Sequence, residues 1–178
     1  MRTARLWQLL TLILVFAGAG AGPRSTALIT AARRGDAGAI RAMVHNAADA
    51  NTAEGDGTTL LHWVIRADAV EATRLLIAAG ANVTTANRYG VTPLALGAAS
   101  GDAALVRLLV SAGADPNAAS ADGETPLMIA ARTGRVDAVK VFLAHGARVD
   151  ATEWKGQTAL MWAAGENHPE VVRTLIEA

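Results

Sequence analysis

The apolar residues of the stretch 123–151 follow helical spacing in two short runs. They recur three or four positions apart, first at Leu127, Ala130 and Ala131 and then at Val136, Val139, Phe142 and Leu143. Thr125 supplies a hydroxyl that caps a helix start, and Pro126 suits the first helical position because that position needs no backbone donor. Gly134 and Gly146 end the two runs in the left-handed conformation. The stretch therefore predicts a unit of turn, helix, turn, helix and turn.

This unit recurs along the chain with a period of 33 residues. The landmarks that repeat in register are a turn glycine, a threonine, a leucine and a closing Gly-Ala pair: Gly57, Gly90, Gly123 and Gly156; Thr59, Thr92, Thr125 and Thr158; Leu61, Leu94, Leu127 and Leu160; and Gly80-Ala81, Gly113-Ala114 and Gly146-Ala147. Such a repeat cannot bury its apolar face alone, so the pattern indicates stacked units with a shared core.

A 33-residue period with these landmarks resembles the ankyrin repeat over about residues 25–178. The resemblance implies an all-α solenoid of stacked helix-turn-helix units whose tips are β-turns or hairpins. It divides this part of the chain into about five repeats, namely 24–53 as an N-terminal cap, 54–86, 87–119, 120–152 and an incomplete 153–178.

Several positions depart from the repeat and carry their own expectations. The first repeat lacks the turn glycine, and Ser25 or Thr26 is expected to cap its first helix. Asp68 replaces the glycine between two helices, so an altered turn is expected there. In the last repeat, four apolar residues are expected to face a sixth repeat: Leu160, Ala163, Val172 and Leu175.

Residues 1–21 have the composition of a secretory signal peptide. Arg2 and Arg5 precede an apolar run, and small residues follow it at Ala17, Ala19 and Ala21. Because this run is shorter than the roughly 20 residues that a spanning helix needs, a cleaved signal is favoured over an uncleaved anchor. We therefore expect an exported protein, periplasmic or secreted, without membrane attachment after signal cleavage.

Composition narrows the function classes further. The formal net charge is zero, so nothing favours a nucleic-acid partner. The chain has no cysteine, which excludes disulfides, a thiol nucleophile and thiolate metal sites. Many arginines, few lysines and abundant alanine are typical of a GC-rich bacterial gene. We expect a monomer that is stabilised by its stacked neighbours rather than by cross-links.

No catalytic constellation is recognisable in the sequence. It contains no phosphate-binding loop, nucleophile elbow or zinc-protease motif, and its four histidines are scattered. The ankyrin resemblance gives His62 a structural role, in which it hydrogen-bonds the backbone and threonine of neighbouring turns. We therefore predict no enzymatic activity, no cofactor and no metal site.

The resemblance implies a concave binding face made of the turn tips and the first helices. Tyr89 and Trp154 are aromatic at turn tips, and Arg33, Arg66 and Arg132 share one register with a gap at Ala99. The candidate partner-binding residues are Arg33, Arg66, Arg88, Tyr89, Asp122, Glu124, Arg132, Trp154 and Lys155. The alternatives are that the two rings lie over neighbouring turns and that the arginines form a solvated helix face. Trp63 and Trp162 are interpreted as a half-buried stripe between helices.

The predicted function is a non-enzymatic module that binds a protein partner on this face. One alternative is that the chain is the N-terminal part of a longer exported ankyrin protein whose function lies downstream. Another is an enzyme that acts at the concave face and depends on His62 or Glu166.

Overall fold

The computed structural model describes residues 22–178, and the predicted signal peptide lies outside the described residues. This part of the chain is helical and contains no strand. Its eleven helices are α1 (Pro23–Arg33), α2 (Ala37–Met43), α3 (Ala47–Ala50), α4 (Leu60–Arg66), α5 (Val70–Ala78), α6 (Pro93–Ser100), α7 (Ala103–Ser111), α8 (Pro126–Arg132), α9 (Val136–Ala144), α10 (Ala159–Gly165) and α11 (Pro169–Ile176).

The helices stack in two layers. In the first-helix layer α1, α4, α6, α8 and α10 contact one another in chain order. In the second-helix layer α2, α5, α7, α9 and α11 do the same, and each first helix also packs against the second helix of its own repeat. One continuous core runs between the layers, so each repeat is stabilised mainly by its neighbours. The predicted all-α solenoid is confirmed.

Local sequence explains where the helices begin and end. The hydroxyl oxygens of Thr92, Thr125 and Thr158 each accept a hydrogen bond from the backbone N–H three residues on, at 3.1, 3.3 and 3.3 Å. These bonds satisfy donors that have no partner within the helix. Gly101, with φ of 77°, ends α6 in the left-handed conformation that glycine adopts at little cost.

The turns that precede the first helices project as four hairpin-like tips, which we number tip 1 (54–58), tip 2 (87–91), tip 3 (120–124) and tip 4 (153–157). In each tip the first backbone N–H bonds to the last carbonyl, at 2.9 to 3.1 Å. Gly123 combines a φ of 83° with a backbone so close to tip 4 that a Cβ would lie 3.1 Å from the Cα of Glu153. A side chain at this position would therefore push tips 3 and 4 apart.

The structure corrects three expectations about individual positions. Ser25 and Thr26 do not cap α1, because Pro23 starts the helix earlier and Gly22 is its N-cap. Asp68 keeps the left-handed turn with φ of 50°, so the turn follows the glycine pattern. Ala163 and Leu175 are buried, at 0 and 3% exposure, rather than facing outward. They pack inward because α10 contacts both α8 and α11, and α11 contacts α9.

Candidate partner-binding face

The two tip aromatics project into solvent. Tyr89 and Trp154 are each 71% exposed, the highest values among the large apolar residues of the described chain. Each ring has a cationic neighbour: the Arg88 guanidinium lies 5.7 Å from the centre of the Tyr89 ring, and Lys155 Nζ lies 4.7 Å from that of Trp154. Cations at these distances are attracted by the negative face of the ring. At this exposure the rings contribute little to the core.

The predicted arginine row contacts the tryptophans of the first-helix layer. Two guanidinium groups lie over the Trp63 ring, that of Arg33 at 4.4 Å and that of Arg66 at 5.3 Å from its centre. Arg33 also forms an ion pair with Glu54 of tip 1. Trp63 is half-buried, as predicted for a stripe between helices. Its indole N–H is buried and has no hydrogen-bond acceptor within residues 22–178.

Trp162 occupies the equivalent place in the last repeat but has a different surrounding. Arg132 lies 5.5 Å from the centre of its ring and bonds to Glu124 of tip 3 at 3.0 Å. The residue that corresponds to Arg66 is Gly165, and a Cβ there would meet nothing within 4 Å. Within the described chain, Trp162 therefore has one cation over its ring where Trp63 has two.

A cavity of about 210 Å³ lies between tips 3 and 4 and reaches the Trp162 ring. The backbone N–H of Trp154 donates to the carbonyl of Asp122 at 2.9 Å and so joins the two tips beside it. The residues that line the cavity are Ser120, Asp122, Glu124, Glu153, Trp154, Lys155, Gln157 and Trp162. Four of the nine predicted binding residues are therefore brought together at one place, with two indole rings.

The acidic side chains of the tips differ in how they are used. Glu153 is buried and accepts the backbone N–H groups of Lys155 and Gln157, at 2.9 and 3.1 Å. Asp56 of tip 1 accepts the N–H of Thr58, and this bond lowers the pKa of its carboxyl. Asp122 is at the equivalent place in tip 3, yet its carboxylate has no hydrogen-bond or ion-pair partner among the described residues.

His62 is buried and serves the fold, as the resemblance implied. Its Nε2 lies 3.0 Å from the carbonyl of Val91, so that nitrogen carries the proton and donates. Its Nδ1 is then an acceptor for the N–H and hydroxyl of Thr59, at 3.2 and 2.8 Å. Burial lowers the pKa of His62. With both nitrogens engaged, this imidazole is not placed to serve as a catalytic base.

The structure also assigns contacts that the sequence did not indicate. Glu54 forms an ion pair with Arg33, and Glu153 accepts a backbone N–H of tip 4. Gly165 has no side chain, so Trp162 lacks the second cation that Trp63 has. The spacing of arginines relative to Trp63 and Trp162 in the sequence could have indicated the difference at Trp162. An arginine lies three residues after Trp63, and others lie 30 residues before Trp63 and before Trp162, whereas the residue three after Trp162 is a glycine.

The described part of the chain offers no cluster of three or more histidine or acidic side chains that could hold a metal ion. None of the helices between residues 22 and 178 has the length and apolar character needed to cross a membrane.

Comparison with known families agrees with the geometry. A family model for ankyrin repeats, comprising three copies, matches residues 4–87, 28–120 and 94–178. No curated protein matches the sequence. Ankyrin repeats generally mediate protein–protein interaction, and proteins built from them are typically non-enzymatic. With matches that span nearly the whole sequence and the stacked helix pairs described above, the chain belongs to the ankyrin repeat family.

Proposed function

We propose that this protein is an exported, non-enzymatic module that binds a protein partner through its tips and first-helix layer. The observation that carries the proposal is the exposure of Tyr89 at tip 2 and Trp154 at tip 4, 71% each. Tyrosine, tryptophan and arginine dominate the binding energy of protein interfaces. Both rings stand beside a cation, and the arginine row lies on the first helices.

The proposed face is better suited to a partner than the second-helix layer is. Arg107 on α7 and Lys140 on α9 are exposed there and line a surface depression that contains no tryptophan, tyrosine or phenylalanine. The first-helix layer instead presents two exposed rings, two half-buried tryptophans and the cavity between tips 3 and 4. A side chain that loses most of its exposure on binding contributes more than one on a flat polar surface.

Export is supported by the charge and apolar pattern of residues 1–21. We expect the mature protein to start near Gly20 or Gly22. N-terminal sequencing of the protein recovered from periplasm or medium measures this directly. Intact Met1 in the membrane fraction would contradict export by a cleaved signal.

The binding function is tested by capture from periplasmic extract with mass spectrometry. The wild-type chain and the double variant Arg107→Ala/Lys140→Ala serve as matched baits, because both retain the proposed face. They are expected to retain the same partner protein. The double variant Tyr89→Ala/Trp154→Ala should lose it, since two anchors of about 2 kcal/mol each reduce affinity by about 30-fold apiece. Equal capture by all three baits would contradict the proposed face.

A further inference from the structure

The cavity between tips 3 and 4 has the chemistry of a site for a cationic side chain. Two indole rings, those of Trp154 and Trp162, form part of its lining together with three carboxylates, those of Asp122, Glu124 and Glu153. Aromatic faces and carboxylates are the two kinds of group that stabilise a guanidinium or an ammonium. Three carboxylates outnumber the two nearby cations, Lys155 in the lining and Arg132 bonded to Glu124.

The groups of this cavity differ in how far they are already paired. Glu124 is paired with Arg132, and Glu153 is held by two backbone N–H groups. Asp122 has no such partner within residues 22–178. Its counterpart Asp56 in tip 1 is bonded to Thr58. An acceptor at the mouth of a cavity is therefore left for a donor that comes from outside.

The cations around the Trp162 ring give a second, independent argument for a cationic ligand. Of the chain's own described guanidinium groups, two lie over the equivalent ring of Trp63 and one over Trp162, because Gly165 stands where Arg66 would be. Trp162 Nε1 and Arg132 Nε are buried donors with no acceptor in the described chain, as Trp63 Nε1 is, so these donors do not distinguish the two rings.

We propose that this cavity binds an arginine or lysine side chain of the protein partner, with the cation against the tryptophan rings and bonded to Asp122. The proposal rests on the proposed function, because it names what that face recognises. Lys155 borders the cavity as a cation of the same sign, so it lowers affinity for the ligand and favours an extended partner side chain that reaches Asp122.

The test is a titration of the full mature chain with three peptides, acetyl-Gly-Arg-Gly-amide and its glutamine and glutamate counterparts, at low ionic strength. Indole N–H signals are followed by NMR and assigned with Trp→Phe variants. The arginine peptide is expected to shift the Trp154 and Trp162 signals, and not that of Trp63. It should bind about fivefold more tightly than the glutamine peptide, since an exposed charge pair and a cation over a ring each add a modest factor.

Three variants test whether the cavity recognises the positive charge of the ligand. Asp122→Asn should weaken the arginine peptide about threefold, and Lys155→Gln should strengthen it by a similar factor. Asp56→Asn, the matched control in tip 1, should leave its affinity unchanged. Equal binding of the glutamine peptide, preference for glutamate, an equal shift at Trp63, or no effect of Asp122→Asn would overturn the proposal. In that event, partner capture that still requires Tyr89 and Trp154 would leave the proposed function standing.

Discussion

Trp63 and Trp162 occupy the same position of the repeat but have different surroundings. The residues lie three repeats apart, on α4 and α10, and each ring has the arginine of the preceding repeat over it. The Trp63 ring carries a second arginine and lies in a helix with first-layer neighbours on both sides, α1 and α6. The Trp162 ring has glycine in that place and borders a cavity lined by three carboxylates.

We propose that this scaffold position contributes to stability at Trp63 and to recognition at Trp162. Around Trp63 the chain itself supplies two guanidinium groups, which lie over the ring and line the cavity beside it. The Trp162 ring has one cation over it and borders a cavity lined by three carboxylates, and we propose that a partner's cation binds there. We therefore expect removal of a side chain around Trp63 to affect mainly folding, and removal of a charged side chain of the cavity to affect mainly binding.

The largest expected effect on stability comes from the tryptophans themselves. Trp63→Ala should lower the free energy of unfolding by about 2–3 kcal/mol, which is less than the cost for a fully buried aromatic because the ring is half-buried. Trp162→Ala should cost about 1 kcal/mol less, because α10 contacts α8 and α11 whereas α4 contacts α1, α5 and α6. Urea unfolding of the two variants measures the difference. Equal losses would show that the two surroundings are energetically alike.

A smaller expected effect is the pH dependence of stability, which involves the residues that directly precede the two tryptophans. His62 is 1% exposed, whereas Met161 at the equivalent position is 56% exposed. Burial lowers the pKa of His62, so the unfolded chain takes up a proton at a higher pH than the folded chain does. The contribution of neutral His62 to the free energy of unfolding is fully present above about pH 6.5, the ordinary pKa of histidine. It is lost as the pH falls toward the lower pKa of the folded state. Each unit by which the pKa is lowered corresponds to about 1.4 kcal/mol.

The matched variant for this effect is His62→Met, which copies Met128 of the fourth repeat. The sulfur of Met128 accepts the N–H of Thr125 at 3.4 Å and so replaces one bond of the histidine without a titrating group. We expect the loss of stability between about pH 7.5 and about pH 5.0, on either side of the ordinary histidine pKa, to be smaller in the variant than in the wild type. Urea unfolding at both pH values measures it. An unchanged pH dependence would assign the acid sensitivity to other groups.

Features that recur in register could be predicted from the sequence. Thr92, Thr125 and Thr158 cap helices, and the structural role of His62 follows from its place in the repeat. Asn167, with φ of 58°, accepts the left-handed turn that glycine adopts in other repeats. Each of these features depends on contacts with residues nearby in the chain or one repeat away. The period of the repeat is therefore enough to identify such neighbours.

Features that depend on how neighbouring tips pack could not be predicted. The cavity between tips 3 and 4 is lined by side chains from both tips and from α10, and no local sequence pattern encodes that combination. The effect of Gly165 on the Trp162 ring could be recognised only by comparison with Arg66, the residue at the equivalent position of the second repeat. The outward orientation expected for Ala163 and Leu175 was wrong, because helical spacing defines a stripe without saying which neighbour it meets.

The most direct measurement is the affinity of the captured partner for the Tyr89→Ala/Trp154→Ala variant, by titration calorimetry beside calorimetric unfolding. Because both rings are 71% exposed, the variant should lose less than about 1 kcal/mol of stability while its affinity falls by a factor of about 30 or more. Arg107→Ala/Lys140→Ala should change neither quantity appreciably. A tip variant that stays folded and binds like the wild type would contradict binding by this face, and one that unfolds readily would show the rings to be packing residues.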